Sequence, residues 1–460
     1  MSNGQSGKAW RLLFKTMLGC AALAALAGSP LSAGGDNGQN VVGAVGGVMI
    51  GRTTGLLENA SLDEQGFLAK QRANALQEPA GEMKEAVGLR KISLRRLEAA
   101  IAEQRRKIAP LPDEIKYLAG LQRVQYVFVY PEQNDIVLAG PGEGWKLDQR
   151  GNVVGITSGR PVLLLDDLLV ALRTTEAAAD GGLTCSIDPT QEGIKRLMGF
   201  TSNLRTIGNP AATITAIQDS LGLQTITLQG VPPTSHFARV MVAADYRMKR
   251  LAMGFDPAPV PNMPNFLQMM ASTSRGKENM LPRWWLAPNY DSLLKDSDGL
   301  AWELRGQGVK AMTEDDFLTE TGAIEHSGKS SPLAQKWADS MTAKYEELSV
   351  EEPIFGELRN IMDLAVIAAL ISKENLAAKA GFEMPLLLSE EDLSLDVYEI
   401  PRNVQSMASY VKKGRNWVIS ASGGVEISSW QVAENVEEAQ SILPVHQQAS
   451  PANTTQWWWN

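Results

Sequence analysis

Cysteine and histidine are nearly missing from this chain: Cys20, Cys185, His236, His326 and His446 are all it has in 460 residues. Three histidines with no HExxH pair, and no second thiol near Cys185, exclude the common zinc sites. No EF-hand spacing offers a calcium loop either, so neither a metal nor a cofactor is expected. Positive charge is scarce: the formal net charge is −9 and there is no Lys/Arg stripe, which removes the electrostatic footprint of a nucleic-acid or anionic-membrane binder. Long apolar runs are also lacking in the body of the chain. IMDLAVIAALI, at 361–371, is too short for a bilayer and carries Asp363, so it is expected as a buried helix, and no transmembrane span is expected in the mature chain. What remains is ordinary globular material, 44% apolar and 21% charged, long enough for two or three domains of about 100–200 residues.

The clearest positive signal is the N-terminus. Lys8, Arg11 and Lys15 precede the apolar stretch TMLGCAALAALA, and SPLSA supplies small residues for cleavage after Ala33. This is the pattern of a secretory signal peptide, preferred here to lipidation at Cys20. Loss of three cations and no anions takes the net charge from −9 to −12 and leaves Cys185 as the sole thiol. No internal disulfide can then staple the fold. An exported protein, periplasmic, cell-envelope or secreted, with a packed core is the expectation.

Hydrophobic periodicity divides the rest. EMKEAVGLRKISLRRLEAAIAEQRRKIA, with Leu89, Ile92, Leu97, Ile101 and Ile108 near helical spacing, predicts one long helix ending at Pro110. VQYVFVYPEQNDIVLAG predicts a strand pair around a polar turn. PVLLLDDLLVALR predicts a buried helix and LTCSID a strand, after which Asp188 is expected to cap a helix that has Pro189 at its first position. Asn209, Pro210 and Gly222 punctuate the next helix in the same way, and LQTITLQG predicts another strand. Past the Pro-rich DPAPVPNMP, RWWLAPNYDSLL and GLAWELRGQGVKAM predict strands around a Gly-Gln-Gly turn, then two helices between Pro332 and Ala380, then a hairpin in SYVKKGRNWVISASGGVEIS. The fold class is α+β (mixed α/β): strand-helix units in the central part, then a β-hairpin and a helical C-terminal part. The expected partition is a signal peptide (1–33), a strand pair and long helix (34–114), an α/β domain (115–255), a linker or loop (256–282), an α+β part (283–430) and a mobile tail (431–460) ending in Trp457, Trp458 and Trp459.

The helix predicted to end at Gly254 carries two apolar arcs at 100° per residue, a wide one through Val240, Leu251 and Met248 and a narrower one through Val242, Met253 and Tyr246. Such a helix belongs between two layers. At one seam, Asp245 and Lys249 stand i, i+4 in the order that favours a structural charge pair; Arg239, Arg250, His236 and Arg247 form a stripe at the other.

Nucleophile and phosphate motifs fail on spacing. GAIEHSGKS has five residues between Gly322 and Gly328 where a phosphate loop needs four. SYVK and SLLK match Ser-x-x-Lys without its companion elements, and no G-x-S-x-G elbow occurs. Cys185 sits in a predicted buried strand, where a free thiol behaves as a small hydrophobe. The ligand-binding candidates are therefore aromatic: Trp284, Trp285, Tyr290 and Trp302 beside Asp291, Glu303 and Arg305. Flat rings beside carboxylates and a guanidinium suit a sugar or extended peptide, although Trp also packs readily into a core.

GLTCSIDPTQEGIKRL, TITLQGVPPTSHFARVMVAADYRMKRLAMGF and PIFGELRNIMDLAVIAALI together resemble a family of exported bacterial proteins classed as a domain of unknown function. The resemblance extends over roughly residues 40–430 and implies no activity, so it assigns no catalytic residue. Two functions are expected from the residues: a non-catalytic binding or scaffold component of the cell envelope, with a glycan, peptide or protein partner, or an envelope hydrolase acting on glycan or peptide.

Overall fold

The computed structural model describes residues 48–50, 57–59, 76, 79, 81–204, 209–272, 281–318, 324–413, 415–450 and 456–460. The expected signal peptide lies outside them. Two seven-stranded sheets and a set of helices make an α+β fold. In chain order the sheet strands are β1 (Val87–Ser93), β2 (Tyr126–Tyr130), β3 (Asp135–Gly142), β4 (Leu183–Pro189), β5 (Leu223–Gln229), β6 (Pro282–Asn289) and β7 (Leu293–Lys295). They continue with β8 (Ala301–Glu303), β9 (Gly308–Leu318), β10 (Ile324–His326), β11 (Asn403–Gln405), β12 (Ser422–Ile427), β13 (Val436–Glu438) and β14 (Trp458–Trp459). One sheet has the order β10-β9-β6-β12-β4-β5-β11, the other β13-β7-β8-β2-β3-β1-β14. Pairing is antiparallel except for β6 with β12 and β7 with β13. Strands from both sides of the Pro-rich segment 256–264 thus share the first sheet.

The helices that matter for the site are α1 (Leu94–Arg106), α2 (Leu165–Arg173), α3 (Gln191–Asn203), α4 (Pro210–Leu221), α5 (His236–Ala252), α6 (Pro332–Ala343), α7 (Pro353–Lys373) and α8 (Leu443–Gln448). Ser235 starts α5 by accepting a hydrogen bond from Ala238 N, the usual satisfaction of an orphan helix donor. The helix then lies between β4 and β12 on one side and α2 and α7 on the other, which is why residues on nearly all its faces are buried. Helix α7 is buried from Pro353 to Gly356 and again along 358–371, and its Asp363 is taken up by Arg123 in a two-pronged pair at 2.9 Å. No helix among the described residues is long and apolar enough to cross a membrane.

Local pattern was right for several elements. The β2–β3 hairpin turns through Asn134 at φ 50°, a left-handed position that Asn tolerates better than most residues. Asn209 caps α4 through its side chain and Gly222 ends it at φ 73°. Three expectations are corrected. The stretch predicted as one long helix is strand β1 followed by helix α1: Ser93 is the N-cap, with its hydroxyl accepting from Arg96 N and donating to Asp135 at 2.6 Å, and residues 87–93 complete the ladder of β3. Tertiary pairing overrode a helical pattern. Asp188 does not cap α3. Strand β4 runs on to Pro189, which pairs with Gln224, so the cap passes to Thr190, whose side chain accepts from Gly193 N. Finally, Gly306-Gln-Gly308 is no hairpin turn. β8 pairs with β2 and β7 whereas β9 pairs with β6, so these glycines, at φ 110° and 95°, carry the chain from one sheet to the other.

Candidate functional site

The aromatic candidates do not converge. Trp284 is fully buried on β6, 5.1 Å from Phe266 and 5.0 Å from Trp337 between ring centres. Its neighbour Trp285 is half-buried on the opposite face, with the Arg283 guanidinium 5.0 Å from its ring. Trp302 is buried in the other sheet, with Lys295 Nζ 4.9 Å from its ring, and Glu303 beside it accepts from Tyr126 at 3.2 Å. Tyr290 donates to Asp363 at 2.7 Å. Asp291 is exposed and its backbone N–H bonds Arg305 O, while the Arg305 guanidinium donates to Ser292 O. Alternation in each strand sends neighbouring side chains to opposite faces, and the two sheets separate the rest.

Buried charge converges instead on α5, at two places. In its C-terminal half, Asp245 and Lys249 are both fully buried. Lys249 Nζ donates to Asp245 Oδ2 at 2.9 Å, to Ile187 O in β4 at 2.6 Å and to Gly423 O in β12 at 3.0 Å. An ammonium has three donors, and all three are used to fasten the helix to two adjacent strands. Gly423, at φ 125°, exposes its carbonyl where any Cβ would fall 1.6 Å from Trp284 O. The freed Asp188 accepts from Gly423 N at 3.2 Å. Burial pushes the Asp245 carboxyl up to about 7, with Lys249 opposing. Cys185, on β4 nearby, is buried, and burial followed by the Asp245 charge raises its thiol well above the usual range. It therefore lacks the thiolate that a nucleophile requires.

The other place is the first residue of α5. His236 Nδ1 lies 3.0 and 2.9 Å from the two carboxylate oxygens of Asp167 on α2, and its ring meets Tyr398 edge-on at 5.2 Å. Burial alone would lower the imidazole; the Asp167 charge, then its hydrogen bond, with smaller help from Glu357 and Asp166, outweighs it and lifts His236 to about 9. Glu357, on α7, is part-exposed as a residue, yet its Oε2 is buried with no hydrogen-bond partner. Burial raises its carboxyl to about 8 against the pull of His236. Asp166 rises to about 6 by burial and by the charges of Asp396 and Asp167.

The Asp167 carboxyl favours the protonated imidazole of His236, and burial favours the protonated form of Glu357 beside it. With Nδ1 held by Asp167, Nε2 is the ring nitrogen left to act, and no Ser, Thr or Cys among the described residues hydrogen-bonds the ring. The cluster can hold, donate and accept protons, and a protonated Glu357 can donate a hydrogen bond to a ligand. Asp166, Asp167 and Glu357 were not singled out in the sequence; the available signal was acidic residues inside the apolar helices LLLDDLLV and FGELRN. No group of three or more His, Cys, Asp or Glu among the described residues is arranged to hold a metal. A separate cavity of about 200 Å³ lies past the end of α5, lined by Leu251, Val260, Met263, Asn265 and Gln268 among others.

Residues 185–266, from β4 through α3, α4, β5 and α5 to Phe266, match the model of a family described as protein of unknown function (DUF1598). The matched segment contains Cys185, Asp188, His236, Asp245 and Lys249; the stretch that begins at Pro353 lies outside it. No curated protein and no solved structure matches the chain.

Proposed function

We propose that this chain is an exported, non-catalytic binding or scaffold component of the cell envelope, and that its ligand contacts form around His236, Glu357 and Asp166. The observation that carries this reading is the unspent hydrogen-bonding capacity of Glu357: its buried Oε2 has no partner, a costly state that a bound donor or acceptor would relieve. By contrast, Lys249 has used every donor on the fold itself. Export rests on the Lys8 to Ala33 pattern, and an envelope glycan, peptide or protein is the partner that location supplies.

The test is a melting-shift panel of envelope glycans and peptides on residues 34–460. A saturable shift that is lost in Glu357→Gln supports the site. A shift that survives Glu357→Gln but is lost in Trp285→Ala moves the binding surface to the Arg283–Trp285 pair. A flat panel overturns small-ligand binding. The second reading, an envelope hydrolase acting on glycan or peptide, is favoured by one feature: a carboxylic acid that keeps its proton near neutral pH is what a general acid needs. Turnover of a panel ligand that disappears in Glu357→Gln would select it.

A further inference from the structure

The C-terminal residues Gln456–Asn460 close the edge of the second sheet. Trp458 pairs with Ile92 and Trp459 with Lys91 along β1, and Ser93 N donates to Trp457 O at 2.9 Å. The two strand positions send their rings to opposite faces. Trp458, 8% exposed, joins the main core, and Trp459 packs on the outer cluster formed by Phe128, Val137 and Ile442. The groove also reads polar atoms. Arg90 Nε donates to Asn460 Oδ1 at 3.0 Å, Asn460 Nδ2 donates to Glu82 O at 3.2 Å, and Arg96 Nη1 donates to Gln456 O at 3.2 Å. The guanidiniums of Arg90 and Arg96 stand 5.4 and 5.9 Å from the rings of Trp458 and Trp459. The remaining donors of Arg90 are held by Met83 O, Ala119 O, Glu82 O and Glu85 O, so the receptor side of the contact is braced from elsewhere in the fold.

We propose that this edge is a strand-addition groove specific for the sequence Gln-Trp-Trp-Trp-Asn, and that it takes the arm of a second copy of this chain as well as its own. The ladder pairs, the Asn460 and Gln456 hydrogen bonds and the two Trp–Arg ring contacts all join these five arm residues to β1 and its surroundings. An identical arm on a neighbouring copy makes the same contacts. Exchange of like for like leaves the bonded inventory unchanged, and association then costs only the freedom lost on pairing two chains. A ladder of main-chain bonds with pockets for alternate side chains is the usual chemistry of strand addition at a sheet edge. Six residues separate Ala449, just past the end of α8, from Gln456, and a stretch of that length spans up to about 20 Å when extended. An arm can therefore reach a neighbouring groove while α8 stays docked on its own sheet.

The experiment traps the arm by its register. In a background carrying both Cys20→Ser and Cys185→Ala, one full-length chain carries Lys91→Cys and another carries Trp459→Cys; the two are unfolded together in urea, refolded together and oxidised for a fixed time. A disulfide between them forms only when the arm of one copy lies in the groove of the other. The expected result is a covalent heterodimer whose fraction rises about tenfold for a tenfold rise in concentration in the dilute range, and which a synthetic peptide of residues 454–460 suppresses. A single chain carrying both substitutions is treated identically. If that chain closes its internal bond while the mixture stays monomeric at every concentration, exchange between copies is overturned. If neither closes, the groove itself is overturned.

Discussion

The two ends of α5 hold their cations in different ways, although each leaves one carboxyl oxygen, Asp245 Oδ1 and Glu357 Oε2, buried without a partner. Near its C-terminus Lys249 is surrounded by three acceptors, two of them backbone carbonyls of neighbouring strands. At its N-terminus His236 is gripped by one carboxylate on Nδ1 only, with the Glu357 carboxyl beside it, whose Oε2 has no partner. A saturated buried charge is a fastener, because removing any partner strands the others away from water. An unsaturated one is a proton reservoir, because its charge state is decided by a few competing neighbours and not by a completed shell.

Breaking the fastener should have the largest effect. Lys249→Met leaves Asp245 buried without its cation and two carbonyls without a donor, so a loss of about 3–5 kcal/mol is expected from urea unfolding. Gly423→Ala attacks the same fastener from the sheet side: a Cβ 1.6 Å from Trp284 O forces the strand aside, and about 3 kcal/mol should be lost. If Gly423→Ala leaves the Lys249→Met deficit fully additive, the two do not act through one contact.

The proton reservoir should respond to pH. His236 is raised from 6.5 to about 9, so its contribution is fully present below pH 6.5 and disappears as pH climbs through 9. Asp167→Asn should remove roughly 2 kcal/mol at pH 6 and almost nothing at pH 10, measured as unfolding free energy at each pH. Glu357 is raised from 4.5 to about 8; its penalty accumulates as pH rises from 4.5 to 8, because the unfolded chain ionises first. Glu357→Gln should therefore be close to neutral at pH 4.5 and stabilise by about 1–2 kcal/mol at pH 9. Equal effects of Glu357→Gln at both pH values would remove the contrast between the two ends of the helix.

Much of α5 was legible in the sequence. A 100° step per residue makes two apolar arcs visible, and i, i+4 spacing places Asp245 beside Lys249 without knowledge of the fold. The carbonyls that complete the Lys249 shell were not legible, since Ile187 and Gly423 are 62 and 174 residues away in the chain. His236 was visible as part of a polar stripe. Asp167 and Glu357 come to it from two other helices, and no local spacing connects them. Strand β1 was hidden because Leu89 and Ile92 also satisfy a helical period, and only the ladder with β3 decides between the two. The Trp residues at 284, 285 and 302 looked like neighbours along the chain, yet the crossing at Gly306 and Gly308 puts them in two sheets.

By itself, then, the sequence determined what short-range geometry determines: an α+β class, the cap at Asn209, the buried helix around Asp363, the two-faced character of α5 and the scarcity of thiol and imidazole chemistry. Tertiary structure alone decided that Lys249 is a fastener and His236 a titrating group, that the Trp arm forms an edge strand of the second sheet, and that strands on either side of the Pro-rich segment share one sheet. The physical reason is that propensity, periodicity and capping act over a few residues. Burial, hydrogen-bond saturation and charge state depend instead on atoms that folding brings together from distant parts of the chain.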